Sequence, residues 1–353
     1  MPVKANKIFY ISYFGDEPRG DIRFISEKLK QKGEYQQVFL LKKIENTLWG
    51  KFSYFLSLIL QVYHFHTSRL VVITGNNYVV STCPKKPKTK VIQLWHAVGA
   101  IKKFGYDFSR KFEIANYDYV IVASPEVVPI YASAFRLPAA QILPLGVAKT
   151  DWLFSPEKLA KDRILLEQLY PVIKGRKVIL YAPTFRGENV FNIDYVDVDL
   201  ERLSKALGDQ YVILYKLHPL HTAKNLGTGE NIINVSSRDL YEVFAVADIL
   251  ISDYSSLIFD FSILEKPMVF FVPDLKQYEQ ERGLYYNFME FAPGPVCFTE
   301  DEVVKAIKEE KFNLDKVLEI KKRFFAYHDG RSTERIVAFL LTLLNDEVMV
   351  EVD

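Results

Sequence analysis

Apolar positions along the chain fall into short continuous runs, separated by longer segments in which they recur at helical spacing. KIFYISYF (7–14), QVFLL (37–41), LVVITG (70–75), KVIQLWH (90–96), YVIVAS (119–124) and QILPLG (141–146) read as strands. The runs do not alternate apolar with polar, so both faces of the sheet are expected to be covered, as in a parallel sheet flanked by helices. After about residue 150 the pattern restarts with KVILYAPTF (177–185), YVILYKLHP (211–219), DILISD (248–253) and PMVFFVP (267–273). Helices are predicted near 198–207, 238–247 and 256–264, and 300–345 is mostly helical by pattern. Strand and helix alternating twice over predicts two α/β units.

The polar stretch FSPEKLAKDRILLEQLYPVIKG (154–175) reads as the connection. The expected domains are 1–160 and 161–353. Open parallel sheets bind ligands beyond the carboxyl ends of their strands, and two such sheets face to face enclose a cleft. The expected fold class is therefore α/β and GT-B-like, with two Rossmann-like domains facing a central cleft. That architecture accepts nucleotide-activated donors, but fold analogy does not assign a function.

Composition narrows the class. Of 353 residues, 49% are hydrophobic and 25% charged, the balance of an ordinary globular protein. The two cysteines, Cys83 and Cys297, argue against a disulfide framework and fit a reducing compartment. A net charge of +1 excludes a general nucleic-acid binder. Positive charge is nevertheless concentrated in CPKKPKTK (83–90) and AIKKFGYDFSRKF (100–112). These are either solvated surface or a site for phosphates or anionic headgroups. The first residues lack the pattern of a secretory signal. The segment FSYFLSLILQVYHF (52–65) is shorter than the roughly 20 residues that span a bilayer. It reads first as a buried helix. The alternative is an interfacial helix with Trp49, Phe52, Tyr54, Phe55 and Leu58 in lipid.

Polar clusters sit at four predicted strand ends: His96; Thr184 and Arg186; Lys216 and His218; Asp253, Ser255 and Ser256. Either serine can cap the helix that begins at SLIFDF, whose first amides would form an anion site; the alternative is a plain cap with a spare hydroxyl. His96 and His218 can each act as a general base or, when charged, stabilise phosphate oxygens, and each can equally be structural. His64, His66 and His221 lack companion ligands at a metal spacing, so no metal site is expected. There is no Walker loop and no GxGxxG fingerprint.

These motifs, in this order, resemble the CDP-glycerol glycerophosphotransferase family of Gram-positive teichoic acid synthesis. The resemblance runs over roughly 90–290, through QLWHAVGAIKKFG, YAPTFRG, YKLHP and ISDYSSLIFDFSILEKPMVFFVPDLKQYEQERGLYYNF. The larger polymerases of that family resemble WHG at the first histidine; Ala97 stands in that place here, as in the smaller primases. The resemblance implies transfer of glycerol phosphate from CDP-glycerol to an undecaprenyl-diphosphate-linked N-acetylmannosaminyl-N-acetylglucosamine, with CMP released at the cytoplasmic face of the membrane. It places the essential histidines on His96 and His218 and the diphosphate-binding pair on Ser255 and Ser256. Arg186 and Arg282, with Lys216 behind them, are candidates for neutralising the donor's charge. Asp253 is a candidate for binding the donor and Asp260 would orient the loop or the donor's polyol; each can equally be a surface or capping carboxylate. No cofactor is expected, although a diphosphate could bring Mg²⁺ with it.

Three rivals use the same features: a ribitol phosphate transferase or polymerase of the same family, a GT-B glycosyltransferase using a nucleotide sugar, and a silent subunit that organises a membrane complex.

Overall fold

The computed structural model describes residues 1–13, 16–41, 48–108, 112–189, 192–217 and 225–345. They form two compact units. The first comprises residues 1–98, 104–151 and 324 onward; the second comprises 99–103 and 152–323.

The first unit carries strands β1 (Lys4–Ser12), β2 (Gln36–Leu41), β3 (Ser68–Ile73), β4 (Lys90–Gln93), β5 (Tyr119–Ile121) and β6 (Ile142–Leu143). They form a six-stranded sheet of order β2-β1-β3-β4-β5-β6, parallel throughout. The second unit carries β7 (Lys177–Tyr181), a small antiparallel pair β8 (Arg186–Asn189) and β9 (Asn192–Asp194), then β10 (Tyr211–Tyr215), β11 (Ile232–Asn234), β12 (Ile249–Ser252), β13 (Met268–Phe271) and β14 (Val296–Cys297). Its six-stranded sheet runs β11-β10-β7-β12-β13-β14, again parallel. The continuous apolar runs thus mark strands covered on both faces. The chain reverses direction across the sheet between β1 and β3 in the first unit and between β7 and β12 in the second. Ligand crevices open at the carboxyl ends of the strands at such reversals.

The helices are α1 (Gly20–Lys30), α2 (Leu48–Phe65), α3 (Tyr78–Thr82), α4 (Val128–Phe135), α5 (Pro156–Leu169), α6 (Leu200–Leu207), α7 (Leu240–Val246), α8 (Leu257–Ser262), α9 (Leu275–Arg282), α10 (Phe288–Phe291), α11 (Glu300–Lys308), α12 (Leu314–Phe324) and α13 (Ser332–Asn345). In the first unit, Ile22, Ile25 and Leu29 of α1 and Ile336, Leu340 and Leu344 of α13 close over Ile8, Leu70 and Ile92 of the sheet. In the second, Leu203 and Leu207 of α6 and Val303 and Ile307 of α11 close over Ile179, Ile213 and Val269.

Two expectations are corrected. The second domain does not run from 161 to 353. Helix α13 presents an apolar face to the first sheet, and both oxygens of Asp151 accept from its first amides, Ser332 N and Thr333 N, at 2.8 Å each. In the other direction, residues 99–103 join the second unit. Lys102 bridges Leu284 in antiparallel fashion, Lys103 N donates to Gly283 O at 3.0 Å, and Tyr285 N donates to Ile101 O at 2.8 Å. Only glycine fits at Gly99, because a Cβ there would lie 2.6 Å from the Phe259 ring.

The second correction concerns α2, which is not a buried helix. Trp49, Phe52, Phe55, Leu56, Ile59 and Leu60 are all exposed, Trp49 at 81%. The side facing the protein is small or polar: Gly50, Ser57 and Gln61 are buried, joined by Phe65. Gln61 Oε1 accepts from Asn77 Nδ2 at 2.8 Å. The fully buried Lys7 donates to His64 Nδ1 at 2.9 Å and to Thr67 Oγ1 at 2.6 Å, fixing the helix end to β1. Of the interfacial set, Tyr54 and Leu58 are half-buried. Among the described residues no helix is long and apolar enough to cross a membrane.

Leu340→Ala should destabilise the protein by about 2–5 kcal/mol, the cost of a buried leucine cavity. Hydrogen exchange should place the lost protection in β1, β3 and β4, more than 240 residues away in sequence. Loss confined to 152–323 would contradict the assignment of α13.

Candidate active site

Each reversal point carries a cavity lined by the polar residues at the strand ends. In the first unit, two small cavities share His96, Trp95, Ser12 and Thr74. One continues along Thr74 to Asn77, the other reaches Arg19 and Lys149. Their position follows from how β4 ends. Gln93 is fully buried; its Oε1 accepts from Trp95 N at 2.8 Å and its Nε2 donates to Gly75 O at 3.2 Å. This holds Trp95 at φ 57°, a left-handed conformation costing on the order of 1 kcal/mol or more outside glycine. The Trp95 ring is pinned on Phe104 (4.9 Å) and Phe135 (5.3 Å), and the turn presents His96 outward, exposed. His96 Nδ1 lies 3.1 Å from the Thr74 carbonyl oxygen. A carbonyl only accepts, so Nδ1 carries the proton, and in the neutral ring Nε2 holds the lone pair.

In the second unit the ends of β7, β12 and β13 are drawn together by one guanidinium. Arg186 donates from Nε and Nη2 to Asp274 at 2.6 and 3.1 Å, from Nη1 to Asp253 at 2.9 Å, and from Nη1 to Thr184 O at 2.7 Å. It lies over the rings of Tyr254 and Tyr278, 5.1 and 4.7 Å from their centroids. Asp253 also accepts from Thr184 N, at 2.8 and 3.0 Å from its two oxygens, and Tyr254 OH donates to Asp274 at 3.0 Å. Burial would raise the Asp274 carboxyl, but the Arg186 guanidinium and the Tyr254 hydroxyl hold it below its ordinary value.

The expected residues divide accordingly. Thr184, Lys216 and Ser255 line one cavity of about 200 Å³. Arg186 and Asp253 lie behind it and are occupied with each other, so they set the shape of the loop. Lys216 Nζ donates to the carbonyls of Ser236 and Arg238 at 3.1 and 2.6 Å, and burial lowers it to about 8. Asp260 is buried with its carboxylate on the Tyr241 hydroxyl of α7. Arg282 ends α9. His218 lies outside the described residues, as do His221 and 109–111 of the second basic segment.

Ser256 occupies the cap position of α8 without a side-chain capping bond. Helix α8 has only six residues, and its early amides are engaged: Leu257 N with Ser255 Oγ, Ile258 N with Ser255 O, Phe259 N with Ser256 O. A helix-dipole anion site is therefore weaker here than the sequence promises. The sequence reading missed Lys102, which lines the same cavity as Thr184, and Asp274 with Tyr254, which complete the arginine network. Of the basic segments, Lys85 and Lys90 face Asp118 at 2.6 and 3.9 Å. Among the described residues no three His, Cys, Asp or Glu side chains converge on a metal position.

The chain matches the family described as CDP-glycerol:poly(glycerophosphate) glycerophosphotransferase over residues 1–342. It is 36% identical to a teichoic acid ribitol-phosphate primase of Bacillus spizizenii, over 98% of this chain and 93% of that one. It is 35% identical to a teichoic acid glycerol-phosphate primase of Bacillus subtilis, over 82% of this chain and 77% of that one. Its fold is GT-B-like and matches that of a variant of the wall teichoic acid polymerase TagF soaked with CDPG, with a TM-score of 0.78 at 25% identity over 98% of this chain and 90% of that one.

Arg186→Met should lower stability by about 2–4 kcal/mol at neutral pH, because the buried Asp253 and the half-buried Asp274 lose their shared cation. Asp274 is depressed in the folded state, so its stabilisation is present above its unfolded value near 4 and is lost as pH falls through the lower folded value. The gap between wild type and variant should therefore be full above about pH 4 and narrow as the solution is acidified below it. Chemical unfolding at pH 7 and at about pH 2 checks this; a constant gap would refute it.

Proposed function

The chain belongs to the CDP-glycerol:poly(glycerophosphate) glycerophosphotransferase family, the transferases of teichoic acid synthesis, and from that premise we propose that it is a primase. It takes glycerol phosphate from CDP-glycerol and adds one unit to a hydroxyl of an undecaprenyl-diphosphate-linked N-acetylmannosaminyl-N-acetylglucosamine. The observation that carries the chemistry is the Nδ1 bond of His96 to the Thr74 carbonyl, which leaves Nε2 as the proton-accepting atom at the mouth of two cavities.

The acceptor hydroxyl attacks the phosphorus that bears the glycerol. His96 Nε2 takes its proton, a new P–O bond forms, the P–O bond to the bridging oxygen breaks, and CMP departs with that electron pair. His218, which the resemblance pairs with His96, supports departure of CMP. Thr184, Ser255 and Ser256 contact the diphosphate. Mg²⁺, where the donor carries it, enters as part of the diphosphate.

The acceptor is a lipid, and the exposed face of α2 is the surface that suits it. Burying the aromatic and aliphatic side chains of that face in the headgroup region gains roughly 25 cal/mol per Å² of apolar surface. In this reading the protein works peripherally at the cytoplasmic membrane face, and the exposed apolar face of α2 supports it. A second reading, transfer of ribitol phosphate, is favoured by the 36% identity to a ribitol-phosphate primase over nearly the whole of both chains.

CMP release from CDP-glycerol should depend on the synthetic lipid-linked disaccharide and fall about 10²- to 10⁴-fold in His96→Ala. The product should be heavier by one glycerol phosphate. A ladder of additions would replace primase by polymerase; turnover with CDP-ribitol alone would select the second reading. No turnover with any CDP-polyol or nucleotide sugar, while partner proteins are retained, would favour the silent subunit. In a separate flotation assay, anionic liposomes should carry the wild type but not Phe55→Glu/Ile59→Lys. Equal flotation of both would remove α2 from the membrane contact.

A further inference from the structure

The 99–103 segment brings one lysine into the second unit whose role the arginine network does not explain. Backbone pairing of Ile101–Lys103 with Gly283–Tyr285 places Lys102 at the wall of the 200 Å³ cavity that Thr184 and Ser255 also line. Its ammonium makes no hydrogen bond or ion pair with any described residue. The Asp253 carboxylate, the opposite charge that acts on it, is already bound by Arg186 and by the Thr184 amide. Lys102 is half-buried, and a cation partly withdrawn from water without a bonded counter-ion gains when an anion arrives.

Thr184 supplies an independent observation. The residue is 7% exposed, and its hydroxyl is buried without a hydrogen-bond partner. Its backbone is held on both sides, by Asp253 at the amide and by Arg186 at the carbonyl. The fold therefore fixes Thr184 in place while leaving its side chain without a partner. Lys216, on the same cavity, has turned its ammonium to two carbonyls and does not serve an incoming ligand in the same way.

We propose that Lys102 and Thr184 form a two-point anchor for the phosphate groups of a nucleoside-diphosphate ligand, with Ser255 at its side. The inference deepens the donor reading given above and rests on it for the identity of the nucleotide. It makes Lys102 a binding residue six positions beyond His96, on the segment that crosses into the second unit. Burial pulls Lys102 down to about 8; Asp253 raises it, and Arg282 and Arg186 lower it further. The anchor is then mostly charged at pH 7 and discharges as pH rises through about 8, which a guanidinium in its place would not do.

The test is calorimetric titration of the full chain with CDP and with inorganic pyrophosphate. Lys102→Met should weaken CDP binding on the order of 10- to 100-fold, as expected for a hydrogen bond to a charged group, and Thr184→Val by several-fold. Lys102→Arg should retain binding and hold it at pH 9, where the wild type loses it. If Lys102→Met binds CDP as the wild type does, the anchor is refuted. If Lys102→Met keeps the wild-type pH dependence, Lys216 is the titrating cation and the assignment fails. Pyrophosphate and CDP binding that need Lys102, in a protein that does not turn over CDP-glycerol, would keep the anchor and overturn the donor reading instead. A wild type that binds neither CDP nor pyrophosphate refutes the anchor.

Discussion

One half-buried guanidinium organises the second unit. Arg186 bonds two carboxylates from two strand ends and a carbonyl from its own loop, against a stacked pair of tyrosine rings. Burying such a group is of doubtful benefit to stability taken alone, since desolvation opposes the Coulomb gain. Its effect is specificity of arrangement. With Asp253 held by Arg186 and the Thr184 amide, and Asp274 held by Arg186 and Tyr254, the loops after β7, β12 and β13 have one mutually consistent geometry. What the network does not use, the Thr184 hydroxyl and the Lys102 ammonium, is what remains for a ligand.

Much of this was legible in the sequence because covered parallel strands write continuous apolar runs. The ten predicted strands all exist, and the polar clusters at their carboxyl ends pointed to His96 at the first unit's cavities and to Thr184, Lys216 and Ser255 at the second unit's. Strand ends were drawn too long: β7 stops at Tyr181, because Pro183 has no amide to give and Thr184 gives its own to Asp253. Four strands were missed: Ile232–Asn234 and Val296–Cys297 at sheet edges, and the antiparallel pair Arg186–Asn189 and Asn192–Asp194, all two to four residues long and too short to leave a run. Asp253 and Asp260 were read as candidate ligand contacts. In sequence a carboxylate next to a hydroxyl pair looks the same whether it faces a ligand, an arginine or a tyrosine. Lys102 sat in a basic stretch, where a lysine reads as surface; only backbone pairing with Leu284, 182 positions away, places it in a cavity.

Helix α2 shows a different limit. Its apolar content predicted burial, and its length argued against a span. The decisive information is which positions face inward, and those are glycine, serine and glutamine. The amide of Asn77, bonded to Gln61 and to the Tyr13 hydroxyl, makes that polar side a specific contact, so the helix is held in one rotation about its axis. With that rotation fixed, the tryptophan, phenylalanines and leucines have only solvent or lipid to face.

The exchange of segments between the units also governs how the protein can be taken apart. A fragment ending at residue 160 and another beginning at 161 look like natural halves on the sequence. The first would be stripped of α13, the cover of its own sheet. The second would lose Ile101–Lys103 from its edge, leaving the Gly283 carbonyl and the Tyr285 amide without their partners and Phe259 without the glycine packed against it. Two halves mixed after separate synthesis would thus each carry a piece the other needs, and a transplanted second unit would reach its new host with an incomplete ligand cavity. The smallest inheritable module in this chain is the whole of it.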